Sequence, residues 1–388
     1  MHPDGGLIGH QTPRIWTAPN KNPDPNDSSY DEFIAIAELA GLYLDPWQRF
    51  VLRITLAEHP ITGLWEAFEV CLIVARQNGK GSILEALQLG WLFLLDAQIA
   101  YTAQLGSTSR DAYGRLLGLI RRTPDLHRLV PDRLVRRSAD EFSISTTRGG
   151  RIEFGPRSSR TGRGTGKDFV VYDEAMFLGS PEIAAQVPTM STRDNPQLWY
   201  CSSAGKKESE HLRGLRDRGR AGAAYDLGDP DGIEPEGFAY FEWSPPVPPE
   251  LNLDDPNDAA AKAYLNDVDN WAAANPGLGL RISLHYVRGE RRVMSSMPLE
   301  FARERLSIFD EPTVTGRVIT AAQWESVEDA GAAAAGAAVF SVTVNERRTS
   351  ATITAAGWTV DGRPVVEIVA LGAPAPGQVA ELAPLVRP

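Results

Sequence analysis

The chain has almost no cysteine. Of 388 residues only Cys71 and Cys201 are cysteines, and both fall in apolar runs that read as strands. A disulfide framework is not expected, and two buried free thiols in a reducing cytosol fit instead. The six histidines are scattered without metal-ligand spacing, so no zinc site is expected. A membrane span is lacking too. The most apolar stretch, 83–100, is interrupted by Glu85, Gln88, Asp96 and Gln98, and reads as a buried helix. No signal peptide opens the chain. Residues 1–30 are polar and rich in Pro, Asn and Asp, which predicts a flexible or loosely docked arm. There is no internal repeat and no net positive charge. The formal charge of −11 argues against a simple DNA-coating protein.

The charge that is present is unevenly placed. Residues 101–167 carry fourteen Lys/Arg against six Asp/Glu, whereas 226–269 carry twelve Asp/Glu against one Lys. A local basic surface on an acidic chain suits an enzyme that touches phosphate along one face, although arginines on solvated helix faces give the same count. Residues 31–58 show apolar positions at helical spacing, with a break at Leu44-Asp45-Pro46. From the apolar run 68–75 to about Ala204, short strands alternate with helices, the pattern of an α/β domain with a mostly parallel sheet. Residues 226–256 are rich in Pro, Gly and Asp and read as a linker or surface excursion. Two or three helices follow to about Phe309. After Pro312 the character turns to β, with strands expected near 339–344, 351–358 and 364–369 and a turn at Asp361-Gly362. The expected boundaries are thus 1–30, 31–225, 226–312 and 313–388.

Three features carry chemistry. The first is Val74-Ala75-Arg76-Gln77-Asn78-Gly79-Lys80-Gly81-Ser82, between a strand and a helix. A phosphate-binding loop needs that context, because the turn aims backbone N–H groups and a helix N-terminus at phosphate oxygens while a lysine reaches the β/γ oxygens. The usual first glycine is Val74, and Gly81 stands where Ser or Thr normally binds magnesium; Ser82, or water, is left to supply that ligand. The second is Phe169-Val170-Val171-Tyr172-Asp173-Glu174, an apolar strand ending in two carboxylates. In phosphate-loop ATPases the first acid holds the metal through water and the second polarises the attacking water. The third is a strand, 197–201, running into Ser202, Ser203 and Ala204, where small hydroxyl residues at a parallel strand's end lie near a nucleotide crevice. Between 157 and 167, Arg157, Arg160, Arg163 and Lys167 stand among glycines, which predicts an exposed, mobile loop.

These runs resemble those of phage terminase large subunits. Arg76-Gln77-Asn78-Gly79-Lys80 is similar to that family's deviant Walker A loop, Asp173-Glu174-Ala175 to its Walker B ending, and Ser202-Ser203-Ala204 to its coupling motif. Asp45-Pro46-Trp47-Gln48 resembles the upstream glutamine element that reads adenine. Trp271 to Gly279 and Glu300 to Leu306 resemble the helical link between motor and nuclease. The resemblance spans about 30–312. It implies an ASCE-type P-loop ATPase with a helical linker, working with ATP and Mg²⁺ as a double-stranded-DNA translocase in the host cytoplasm. Its implied partners are a portal protein, a small terminase subunit and copies of itself, in a ring of five. Arg76 would contact or sense the γ-phosphate, and Arg163 would act on a neighbouring subunit's nucleotide or contact DNA phosphate.

The family also carries a two-metal nuclease of ribonuclease-H-like fold. Here the first candidate strand has Thr343 where an aspartate is expected, so nuclease activity is not expected of this chain. A superfamily-2-like helicase remains open as an alternative, as does an assembly protein of the same fold without activity.

Overall fold

A computed structural model of the chain describes residues 6–138, 142–157, 166–248, 251–253, 255, 257–310, 327, 329, 331–344 and 351–372. It divides into two compact units, Met1–Thr313 and Val314–Pro388.

The first unit is α/β. In chain order its elements are β1 (Ile15–Thr17), α1 (Tyr30–Leu39), α2 (Pro46–Thr55), β2 (Glu69–Ile73), α3 (Lys80–Phe93), β3 (Gln98–Ala103), α4 (Gly106–Arg122), α5 (Pro124–Leu129), β4 (Val135–Arg137), β5 (Phe142–Ser145), β6 (Arg151–Pro156), β7 (Phe169–Asp173), α6 (Ser180–Gln186), β8 (Gln197–Ser202), α7 (Glu210–Asp226), β9 (Phe238–Glu242), α8 (Ala259–Asn266), α9 (Val268–Ala274), α10 (Leu284–Val293) and α11 (Pro298–Leu306). One sheet holds all nine strands in the order β1-β9-β2-β8-β7-β3-β6-β5-β4. The run from β9 to β6 is parallel, and β1 and the β5–β4 pair close the two edges antiparallel.

Helices cover both faces, so the central strands are apolar without alternation. The pleat then sends successive side chains to different cores. Val70 and Leu72 join the face carrying Phe33, Trp47, Trp91 and Trp199. Cys71 and Ile73 join the face carrying Tyr172, Tyr200, Tyr240 and Leu215. Both cysteines are buried and free. A third core, around Trp271, Leu265 and Phe301, holds α8 to α11 together.

Four expectations need correction. Residues 6–29 do not form a loose arm: β1 pairs with β9, the Gly9 amide donates to the Leu278 carbonyl (2.9 Å), and Trp243 Nε1 donates to the His10 carbonyl (2.8 Å). The stretch 226–256 is not merely a linker, because β9 is fully buried beside β2. Its flanking Pro, Gly and Asp residues hide one short apolar strand. The run 83–100 is not one helix: α3 stops at Phe93, Asp96 takes a positive φ of 49°, and β3 has begun by Gln98. Four helices, not two or three, lie between 257 and 309.

The second unit contains β10 (Val339–Val344), β11 (Ala351–Trp358) and β12 (Pro364–Gly372), an antiparallel meander in that order. Gly362 supplies the left-handed residue of the β11–β12 turn, with φ +78°. No helix among the described residues is long and apolar enough to cross a membrane.

Candidate active site

The chemistry-bearing residues converge at the carboxyl ends of β2, β7 and β8, where an open α/β sheet offers its crevice. β8 lies between β2 and β7, so the loop after β2 and the acids after β7 face each other across one strand.

The loop after β2 turns on two residues of positive φ, Gln77 (63°) and Gly79 (104°). Val74 is not one of them; its side chain is fully buried, which is why a valine serves at the usual first glycine. Gly79 has a second constraint, because a Cβ there would come within 2.8 Å of Gln48 Nε2. Gln48 is itself fully buried. Its Nε2 donates to the Gly79 carbonyl (2.8 Å), and its Oε1 accepts from the Asp45 amide at the start of α2 (2.7 Å). The glutamine expected to read adenine therefore has its amide committed to the loop itself.

Lys80 opens α3. Its ammonium donates to the carbonyls of Val74 (2.7 Å) and Ala75 (3.3 Å). Burial brings its pKa down to about 8, with Asp173 acting the other way. The fourteen-residue α3 points its N-terminus at the same place. Gly81 and Ser82 lie half-buried on its first turn.

Asn78 and Arg76 tie the loop to the helices after β9. Asn78 is fully buried; its Nδ2 donates to Asn275 Oδ1 (3.0 Å) and to the Ala75 carbonyl (3.1 Å), and its Oδ1 accepts from the Gly277 amide (2.9 Å). Arg76 forms an ion pair with Glu304 of α11. Arg305 donates to the Arg76 carbonyl (3.4 Å) and pairs with Glu290 (2.6 Å).

Across the crevice, Asp173 Oδ2 accepts from the Tyr101 hydroxyl (2.5 Å) and Oδ1 from the Glu174 amide (2.9 Å). Burial and the neighbouring Asp173 push the Tyr101 pKa well up, so it stays a donor. Glu174 adopts the left-handed conformation, φ 54° and ψ 45°, which costs a non-glycine residue about 1–2 kcal/mol. Arg157 braces that turn by donating to the Asp173 carbonyl and, at 3.4 Å, to the Glu174 carbonyl. Glu174 Oε2 is buried and has no hydrogen-bond partner among the described residues. Ser202 Oγ accepts from the Met176 amide (3.0 Å), and the Ser202 carbonyl accepts from the Val74 amide (3.1 Å), so β8 touches both sides of the crevice. Ser203 is buried beside it.

The basic loop 157–167 is not exposed at its ends. Arg157 is half-buried under the acids, and Lys167, 1% exposed, pairs with Glu153 (2.8 Å). Carbonyl and carboxylate partners, which a sequence does not display, offset the cost of both burials. Arg160 and Arg163 lie outside the described residues. Tyr101, Arg157, Asn275 and Glu304 were not predicted as site residues; Asn275 and Glu304 fell inside the runs that resemble the family's link, Arg157 opened the basic run expected to be exposed, and nothing marked Tyr101.

No family model and no curated protein matches the chain. Among solved structures, the large terminase of bacteriophage HK97 aligns over 92% of this chain and 70% of its own, at 16% identity and a TM-score of 0.58. The large terminase ATPase domain of Thermus phage P74-26 aligns over 70% of this chain and 96% of its own, at 17% identity and 0.39. The ADP complex of a large terminase from a thermophilic bacteriophage aligns over 78% of this chain and 64% of its own, at 10% identity and 0.38. The last two overlap too weakly to add to the first. With its parallel sheet, its loop after β2 and its acids after β7, the chain has the fold of a phage large terminase.

Proposed function

We propose that this chain is an ATP hydrolase that drives double-stranded DNA into a phage capsid, the motor of a large terminase subunit. The observation that carries the reading is the opposition of Lys80 and the Asp173–Glu174 pair across β8, with one carboxylate oxygen of Glu174 buried and unpartnered among the described residues. In this reading Lys80 and the α3 N-terminus bind the phosphates, and Arg76 and the backbone of Gln77, Asn78, Gly79 and Gly81 line them. Glu174 takes the proton of a water whose oxygen attacks the γ-phosphorus. The bond from that phosphorus to the bridging oxygen breaks, and ADP leaves with the electron pair.

Mg²⁺ fits the residues present. It takes one or two carboxylates and fills its shell with phosphate and water, and Asp173 ends β7 with neutral hydrogen-bond donors on both oxygens. Asp173 would hold it through water, with the Ser82 hydroxyl as a second candidate ligand, and when bound it would neutralise phosphate charge. Ser202 and Ser203 pass the change at Glu174 to the loop through β8. Gln48 supports Gly79, so its adenine role requires release of that bond. Arg163 acts on a neighbouring subunit or on DNA, and mixing Arg163→Ala with Glu174→Gln subunits separates the two. The ring of five, the portal, the small subunit and the host cytoplasm belong to this same reading. So do the motor role of the first unit and the assignment of 313–388 as a ribonuclease-H-like domain.

The test is phosphate release by the purified chain with ATP and Mg²⁺. Lys80→Ala should lower turnover at least about 10²-fold and weaken nucleotide binding. Glu174→Gln should lower it about as far, by removing a general base, while ATP stays bound. Undiminished turnover in Lys80→Ala would overturn the assignment.

A further inference from the structure

We propose that Arg115, on α4, is a further nucleotide-contacting cation of this site, reaching the β/γ-phosphate oxygens from the place beside the loop where a Ser or Thr at position 81 would otherwise put its hydroxyl. The inference rests on the ATP reading above.

The geometry begins at Gly81. A Cβ built there would meet Arg115 Nη2 at 3.5 Å and Glu85 Oε1 at 3.7 Å, and, the backbone of its own helix aside, its three nearest neighbours are all side-chain atoms. Gly81 is not among the residues of positive φ. The backbone therefore does not demand glycine here, and glycine weakens a helix. What occupies the space above it is a guanidinium. Glu85 lies one turn further along α3, on the same face, and its Oε1 accepts from Arg115 Nε at 2.6 Å. That bond fixes the head of Arg115 by one edge.

The other edge is left available. Nη1 and Nη2 make no hydrogen bond among the described residues, and the side chain is half-exposed. Glu85, Tyr101 and Asp173 hold the guanidinium's pKa up against its partial burial, so it stands in the field of the acid that ends β7. A planar guanidinium held at Nε presents two parallel N–H groups, the arrangement that matches two phosphate oxygens. Glu85 is then a positioning residue. The competing account, a plain surface ion pair between α3 and α4, predicts no effect on nucleotide binding.

The experiment measures binding of ATPγS and of ADP to the full chain by calorimetry, with and without Mg²⁺, beside the melting temperature without nucleotide. Arg115→Ala and Arg115→Gln should each weaken ATPγS binding about tenfold or more, the scale of a charge-assisted phosphate contact, and ADP binding less. Arg115→Lys should recover part of the loss, and Glu85→Gln should lose part. Nucleotide-free melting should move little. Affinities equal to those of the unaltered chain in both Arg115→Ala and Arg115→Gln overturn the inference. So does a loss matched in both by a fall of several degrees in nucleotide-free melting, which makes the ion pair structural. Lys80→Ala separates the two levels: if it too binds ATPγS undiminished, the ATP site itself is wrong.

Discussion

The phosphate loop and the turn between β11 and β12 are alike as local structures. Each follows a strand, and each relies on a glycine of positive φ, Gly79 at 104° and Gly362 at 78°. They differ in what lies around them. The turn at 359–363 is bonded to itself: the Thr359 amide donates to the Arg363 carbonyl (2.8 Å), and Arg363 pairs with Asp361 (2.7 Å), with residues 360–363 exposed. Hydrogen bonds from Thr359 and Arg363 lower the Asp361 pKa, a local effect with no core behind it. The loop after β2, in contrast, is bonded to α2, β8 and the segment 275–305. Its flanking strand is buried, whereas Phe340, Trp358 and Ile368 of the three-stranded meander are all more than half exposed. A good turn shapes a few residues. Holding polar groups in a reactive arrangement takes a packed layer on each side.

Substitution of a tryptophan in each unit should give the largest contrast. Trp91 is fully buried and stacks on Phe169 with centroids 4.3 Å apart. Trp91→Ala should cost about 3–5 kcal/mol of stability, and Trp358→Ala about 0.5 kcal/mol or less. Denaturant melts of the two variants measure this, and comparable losses would erase the distinction between the two units.

Next in size is the bond between Asn78 and Asn275. Both are fully buried, and removing either leaves buried polar partners without a bond. Asn78→Ala or Asn275→Ala should cost about 1–3 kcal/mol. A double-mutant cycle should show coupling of at least about 0.5 kcal/mol. Strict additivity would mean that the loop is not held by that segment.

The proton on Lys80 offers a smaller and graded effect. Its pKa in the free protein is brought down from 10.5 to about 8 by burial. The charged form is the disfavoured one, so this lysine's contribution to folding stability improves as pH rises from 8 towards 10.5. Phosphate favours the charged form. Nucleotide binding should therefore take up a proton above about pH 8, and affinity should fall by up to about tenfold per pH unit there. Calorimetry in buffers of different ionisation enthalpy reads the proton directly, and proton-neutral binding at about pH 9 would contradict it.

The smallest expected effect is none. Among the described residues no three His, Cys, Asp or Glu side chains are grouped to hold a metal, and Thr343 pairs with Thr352 on the neighbouring strand. Plasmid incubated with the chain in Mg²⁺ or Mn²⁺ should stay intact, with Glu367→Ala indistinguishable. Cleavage that survives purification and disappears in Glu367→Ala would give the second unit a site after all.

Much of this was legible in the residues themselves. Strands buried on both faces are continuous apolar runs, so β2, β7 and β8 announce themselves, and Asn-Gly-Lys before a helix marks a turn with a cation. Asp173 and Glu174 stand out because they end such a strand about ninety residues after Lys80, although a strand running into a charged turn has the same residues. Short elements were not readable: β1 has three residues and pairs only with β9, and β9 sits in a Pro- and Gly-rich stretch and is held between β1 and β2. The same holds within the site. A sequence displays Arg157 and Lys167 as charges that ought to be in water, and Gln48 as an amide free to meet a base. Tertiary structure put carbonyls, a carboxylate and the Gly79 oxygen beside them, and a buried polar group goes where its partner is. Periodicity and residue type act over a few neighbours and so determined the strands, the loop and the acids. Partners that lie about two hundred residues apart, such as Asn78 and Asn275 or Gln48 and Arg281, could be decided only when the sheet closed around them.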